Sequence, residues 1–235
     1  MKRYHWVGFL PFYLLSVIAF VGIAQIGSGA VTAVKQNTPV PRRYCFIIDA
    51  GHGGIDGGAT SCTGVLESTI NLEIALKLND LMQFLGYDTI MTRTTDTSIH
   101  IKGETIAAQK VSDLKERVRI VNETENGVLI SIHQNTFSDS RYSGAQVFYA
   151  EKGNSRQLAE KLQATLSQTV NPGSNRKCKT SKGIYLMEHI DQTGLLIECG
   201  FMSNPHEEAK LRNAEYQKML CMVIASTLGT YLSNT

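Results

Sequence analysis

Two imidazoles and two carboxylates occupy comparable places along this chain. His52 lies inside a glycine-rich turn within residues 45–58, CFIIDAGHGGIDGG. His133 terminates the apolar run of residues 128–135, VLISIHQN, and Glu198 terminates that of residues 194–200, GLLIECG. Glu67 follows the first stretch closely, in Leu66-Glu67-Ser68. Short apolar, β-favouring runs read as buried strands. Open α/β sheets carry their chemistry just outside the carboxyl ends of such strands. His52, Glu67 and His133 offer the donors of a hydrolytic zinc site, which takes three protein ligands and keeps one position for water. Such a site lowers the pKa of water to about 7, and a nearby carboxylate can take the remaining proton. Glu198 is the candidate for that role, because a carboxylate after Leu195-Leu196-Ile197 is partly desolvated and shifted toward the range of a general base.

Each of these residues also has a plainer reading. A single histidine is more often packed than ligating, yet glycines serve little purpose around a merely packed His52. Ser131 and Asn135 flank His133 at alternate positions, so polar groups share its strand face. Glu67 fits equally well as a helix-terminal carboxylate favoured by the macrodipole. An acid at the end of a buried strand, such as Glu198, is costly unless used or paired. The glycine loop could cradle phosphate, but it contains neither G-x-G-x-x-G nor a Gly-Lys-Ser/Thr ending. Cys199 beside Glu198 invites a thiol-nucleophile reading that no specifically placed partner supports. His5, His100, His189 and His206 fall beside an apolar segment, in a polar loop and in turns, and read as background.

The elements that must position these groups can be read in order. Ile70, Ile74, Leu78, Leu81 and Leu85 recur at helical spacing after Glu67, and Gly86 closes that helix. Residues 87–92 read as a second strand and residues 93–110 as a surface loop. Ser112 or Asp113 is expected to cap a second helix with Leu114, Val118 and Val121 inward and Lys115, Glu116 and Arg119 outward. The His133 strand and a strand at residues 145–149 follow. Ser155 is expected to cap a third helix, which Asn171-Pro172-Gly173 stops. A basic loop at residues 176–182, usually a solvated surface, could attract the carboxylates of an acidic peptide. Asn204-Pro205 with Glu207 and Glu208 reads as the start of a final helix. Strands alternating with helices imply an α/β fold, a mainly parallel sheet flanked by helices.

Length and composition frame this. The chain has 235 residues, 43% hydrophobic and 19% charged, which suits one globular domain and an appendage. A net charge of +2 without a run of interleaved Lys/Arg and aromatics argues for no nucleic-acid partner. Five cysteines without C-x-x-C spacing read as mostly free thiols, with one disulfide after export left open. Lys2 and Arg3 precede about twenty uncharged residues, so residues 1–33 read as a signal peptide or a membrane anchor. Everything downstream is then exported, secreted or attached to the membrane through that segment. Residues 34–43, with two prolines and no periodicity, read as a linker, leaving 44–235 as the catalytic domain.

Taken in order, IDAGHGGIDGGA, LES-x-x-NLEIA, SIHQN and ECGFMSN resemble the zinc-dependent N-acetylmuramoyl-L-alanine amidases of the amidase 3 type. The resemblance runs from about residue 45 to the C-terminus. It implies cleavage of the amide between the lactyl group of N-acetylmuramic acid and L-alanine, with peptidoglycan as substrate. It also implies Zn2+ on His52, Glu67 and His133, and Glu198 as the catalytic glutamate. Ser68-Thr69 stand where an acid or lysine more usually follows the zinc glutamate, which touches loop detail. His133 is followed too quickly by the next strand to admit the long blocking helix that some members insert. Cell-wall-binding repeats are missing. This short form resembles the germination-specific branch of spore-forming bacteria, which implies a role in spore-cortex maturation on the way to muramic lactam. An activating protein partner is left open. The competing readings are a zinc carboxypeptidase or deacetylase and, outside enzymes, a peptidoglycan-binding module with an inactive site.

Overall fold

A computed structural model describes residues 44–232. The leader or anchor and the linker expected before residue 44 lie outside the described residues. Six strands form one sheet: β1 (Cys45–Ala50), β2 (Asp88–Met91), β3 (Gly127–Asn135), β4 (Gln146–Tyr149), β5 (Lys179–Thr180) and β6 (Thr193–Phe201). Their spatial order is β2-β1-β3-β6-β4-β5. β2, β1, β3 and β6 are mutually parallel, whereas β4 runs antiparallel to β6 and carries β5 parallel to itself. The expected mainly parallel α/β sheet is present, with an antiparallel turn at one flank.

Alternation along the central strands separates two cores. Phe46, Ile48, Ile130, Ile132, Leu195 and Ile197 pack against α1 (Glu67–Phe84), α3 (Ser155–Thr169) and α6 (Ala214–Leu232). Ile47, Leu129 and Leu196 pack on the other side against α2 (Ile106–Glu123) and α4 (Tyr185–His189). Asp49, Ser131, His133 and Glu198 share the parity of this second set, so the apolar face turns polar at the carboxyl edge of the sheet. α5 (Pro205–Leu211) completes the layers. Among the described residues, no helix is long and apolar enough to cross a membrane.

Three helix starts differ from the sequence expectation, each for a local reason. α2 begins at Ile106 rather than near residue 112, capped by Thr105, whose Oγ1 accepts from the Ala108 amide at 3.2 Å. Ser112 and Asp113 do make cap-type bonds, but to a loop folded back on the helix. Ser112 Oγ accepts from the amides of Ile101 and Lys102, and Asp113 Oδ1 from the amide of Ile99. Ser155 is the first residue of α3 and ties it to β6, its Oγ accepting from the Gly194 amide at 2.9 Å. Asn204 caps α5 as expected, accepting from His206 and Glu207, but that helix ends at Leu211. Asn213 then caps α6, accepting from the amides of Glu215 and Tyr216 at 3.0 Å.

Candidate metal centre

The glycine loop leaves β1 in backbone conformations that side chains rarely adopt. His52 itself has φ 61°, with Gly53 at 130° and Gly58 at 68°. A non-glycine residue held there stores strain and needs surroundings that over-determine it. Two buried arginines supply those surroundings. Arg93 donates to the carbonyls of Ala50 (2.8 Å), Gly51 (3.0 Å) and Ser68 (2.9 Å). Arg117, from α2, donates to the carbonyls of Ala50 (3.0 Å) and His52 (2.8 Å) and pairs with both Asp49 and Asp113. Asp49 also accepts from Thr92 and Ser131, which locks β1, β2 and β3 together behind the loop.

Close approach explains two of the glycines. A Cβ on Gly51 would lie 2.2 Å from His133 Nε2, and one on Gly58 would lie 2.6 Å from Glu67 Oε2 and 2.7 Å from His52 Cδ2. Backbone fills the space that side chains would otherwise take from the three polar groups.

Those groups converge. His52 Nε2 is 3.3 Å from Glu67 Oε2, and His133 Nδ1 is 2.9 Å from Glu67 Oε1. The two imidazoles meet edge to face, centroids 4.9 Å apart. One donor atom from each of the three residues lies within 4.8 Å of the others, the one such group found among the described residues. The other nitrogen of His52, Nδ1, faces Asp56 Oδ2 at 3.0 Å, and Lys110 holds Asp56 Oδ1 at 2.7 Å. An ionised Asp56 can only accept, so Nδ1 keeps its proton and Nε2 is the nitrogen turned toward Glu67, where it donates to the carboxylate or, on giving up its proton, can bind a metal ion. Two nitrogens and a buried carboxylate, oriented from behind, are a donor set that fits a divalent metal ion.

Glu67 opens α1, with Leu66 as the uncapped N-cap. Its carboxylate accepts from the amides of Ala59 (3.0 Å) and Gln134 (3.1 Å) and from Asn71 Nδ2 (3.2 Å). Burial works against its charge, but the hydrogen bonds and charges of His133 and His52 outweigh it and hold the carboxyl well below the usual range. Burial likewise pulls the His52 imidazole down, and Glu67 and Asp56 more than compensate, raising it to about 9.

Glu198 stands on β6 as the register partner of His133, three residues before the strand ends. Its Oε2 is buried with no hydrogen-bond partner. Burial pushes its carboxyl up to about 7, with Glu67 adding to the rise and His133 and His52 opposing it. Cys199 points to the opposite core, where burial lifts its thiol far above the ordinary range, so it is no nucleophile at neutral pH.

All four residues singled out from the sequence therefore meet at one edge. Asp56, Arg93, Asn71 and Arg117 escaped that reading. Asp56 had a local signal, four residues after His52 in the same loop, and Arg117 had Asp113 one helical turn before it.

An oriented His–Glu–His cluster that could hold a metal ion, with an unpaired, raised carboxylate on the adjacent strand at the carboxyl edge of an α/β sheet, is an arrangement suited to hydrolysis. The chain belongs to the N-acetylmuramoyl-L-alanine amidase family, whose model matches residues 46–229, and is by that membership an amidase. It is 37% identical over 234 residues to the germination-specific N-acetylmuramoyl-L-alanine amidase of Bacillus subtilis, covering 99% of this chain and 96% of that protein. It is 28% identical over 202 residues to the amidase LytC of the same organism, covering 85% of this chain but 37% of LytC. Among solved structures, the CwlD amidase of Clostridioides difficile, in complex with the GerS lipoprotein, matches with a TM-score of 0.78 and 36% identity. That match covers 82% of this chain and 100% of CwlD.

Proposed function

We propose that His52, Glu67 and His133 hold zinc and that Glu198 is the general base with which this amidase cleaves the bond between N-acetylmuramic acid and L-alanine. The observation that carries the reading is the convergence of three donor atoms within 4.8 Å, with Glu198 unpaired beside His133. Zinc, when bound, supplies Lewis acidity toward the scissile carbonyl and the attacking water. Glu198 accepts a proton from that water as its oxygen adds to the carbonyl carbon. The same carboxyl then hands the proton to the alanine nitrogen as the carbon–nitrogen bond breaks, leaving a lactyl carboxylate and a new L-alanine amino terminus. Asp56 keeps His52 in the tautomer that presents Nε2, while the amides of Ala59 and Gln134 fix the Glu67 carboxylate.

The work we assign to it is maturation of spore-cortex peptidoglycan outside the cytoplasmic membrane, on the way to muramic lactam. The near-full-length likeness to a germination-specific amidase supports this. The solved complex of CwlD with a lipoprotein supports a protein partner for this chain as well. We further place the catalytic domain at 44–235 behind a leader or membrane anchor (1–33) and a linker (34–43), so the fragment from residue 43 onward should fold and bind zinc alone. Metal analysis together with product analysis on purified peptidoglycan tests the core of the reading. A single zinc per chain and new L-alanine amino termini are expected, and His133→Ala should lose most of the metal. Full zinc retention in that variant would sink the ligand assignment.

A further inference from the structure

A cavity of about 780 Å³ opens beside the catalytic edge and takes no part in the chemistry above. Its position follows from the sheet. β4 is antiparallel to β6 with Gln146 opposite Glu198, so the loop entering β4 emerges at the same edge as the candidate base. That loop supplies Tyr142 and Gly144, the connection after α3 supplies Arg176, and the start of α5 supplies Asn204, His206 and Lys210. Neighbouring strands lie about 4.8 Å apart and an extended peptide advances about 3.4 Å per residue. The loop that walls this cavity therefore leaves from one strand away from Glu198 and runs outward from the same edge.

The charge is positive and held in place. Arg176 Nε donates to the Ser143 carbonyl at 2.8 Å and Nη1 to Gln146 Oε1 at 3.1 Å, and its guanidinium lies 4.7 Å over the Phe201 ring. Three contacts fix the fork and leave Nη2 for a ligand, so little side-chain entropy is lost on binding. Lys210 adds a second cation. The one carboxylate in the wall, Glu207, is buried and engaged, accepting from the Gly144 amide at 2.7 Å with Lys210 Nζ at 3.7 Å. Phe137 and Tyr142, exposed and edge to face at 4.7 Å, border this face with an apolar shelf.

We infer that this cavity is a subsite for a free carboxylate of the stem peptide, read by Arg176 with help from Lys210. The carboxylate is the one on the γ-linked glutamyl residue that follows L-alanine. The inference rests on the amidase reading and adds specificity to it: the enzyme prefers stems with that carboxylate free over stems in which it is amidated.

Two synthetic substrates that differ only there decide the matter, N-acetylmuramoyl-L-alanyl-D-glutamate and its isoglutamine counterpart. A charge-assisted hydrogen bond lost to an amide predicts a kcat/KM ratio of about 10-fold or more for the acid. Arg176→Gln should bring that ratio close to one, and Arg176→Lys, which keeps charge but not the fork, should restore part of it. Lys210→Gln should lower the ratio severalfold, and its exposed side chain makes it the deciding variant if Arg176→Gln fails to fold. A wild-type ratio near one overturns the subsite, as does a preference unchanged in the folded variants. If wild type releases an L-alanyl peptide from neither substrate nor from peptidoglycan, the amidase reading itself has failed.

Discussion

Two carboxylates, Glu67 buried and Glu198 half-buried, meet at one sheet edge and are driven in opposite directions. Glu67 is surrounded by donors, two backbone amides, Asn71 and both histidines, and stays ionised far into acid. Glu198 has an oxygen with no partner and is raised to about 7. Desolvation acts on both; what differs is how many donors answer it. A carboxylate so thoroughly satisfied suits a fixed ligand, whereas an unsatisfied one suits a group that must gain and lose a proton. The asymmetry extends outward. Behind Glu67 and His52 lie Asp56, Lys110, Arg93 and the Asp49–Arg117 pair, while no donor reaches the Oε2 of Glu198.

The largest effect should come from exchanging the two acids' properties. Glu198→Gln is expected to keep fold and zinc while lowering release of L-alanine amino termini about 100- to 10,000-fold. Glu67→Gln should instead lose zinc, because an amide cannot act as an anionic ligand to the metal. Zinc content and activity measured on both variants separate the roles. If Glu198→Gln loses zinc and Glu67→Gln keeps it, the assignments must be exchanged.

Next comes the frame behind the loop. Asp49→Asn leaves Arg117 with Asp113 as its charged partner, and breaking a buried pair typically costs about 3 kcal/mol or more. A Tm lower by roughly 6–12 °C is expected for a domain of this size. Burial opposes the Asp49 charge, but Arg117 and the hydroxyls of Ser131 and Thr92 hold its carboxyl below the usual value. A depressed carboxyl contributes stability that is present above its unfolded pKa and lost as pH falls through the folded one. The gap between wild type and Asp49→Asn should therefore be full above about pH 4 and shrink below it. A gap that stays constant down to pH 2 would show that the ionised form of Asp49 is not what stabilises the fold.

The same contrast governs what could be read in advance. β1, β3 and β6 were legible because buried strands are continuous apolar runs, and each run delivers its polar residue at a fixed place near the carboxyl edge. Glu67 was legible as a helix-terminal acid, but its ligand-like surroundings depend on amides from residues 59 and 134, which local pattern does not connect. Arg117 reaches Asp49 across 68 residues, and Arg93 reaches Ala50 across 43. Such pairs are created by strand order, not by spacing. The start of α2 was misplaced because Ser112 and Asp113 are good capping side chains whose bonds go to a distant loop. The antiparallel β4 was hidden because a four-residue strand carries no directional signal.

Asp56 tests how far the asymmetry reaches outward. Removing a group that orients a ligating histidine typically costs 10–100-fold in metal affinity, and Asp56→Asn should fall near about 10-fold because the amide oxygen still accepts from Nδ1. Competition with a chelator of known zinc affinity reads this directly. An unchanged affinity would mean that the loop backbone, held by Arg93 and Arg117, is enough to orient His52.

Lys110 should have the smallest effect. Its side chain is 47% exposed and its partner Asp56 28% exposed, so solvent screens the pair despite its 2.7 Å separation. Pairs of this kind contribute about 0.2–1 kcal/mol, which predicts a loss of zinc affinity of no more than about 5-fold for Lys110→Met. Because the effect is electrostatic, the difference from wild type should fade as ionic strength approaches about 1 M, where the Debye length is near 3 Å. If Lys110→Met instead loses as much affinity as Asp56→Asn, and does so at every salt concentration, the ammonium is fixing the rotamer of Asp56 as well as screening its charge. The organised side of the site would then extend from His52 through Asp56 into α2.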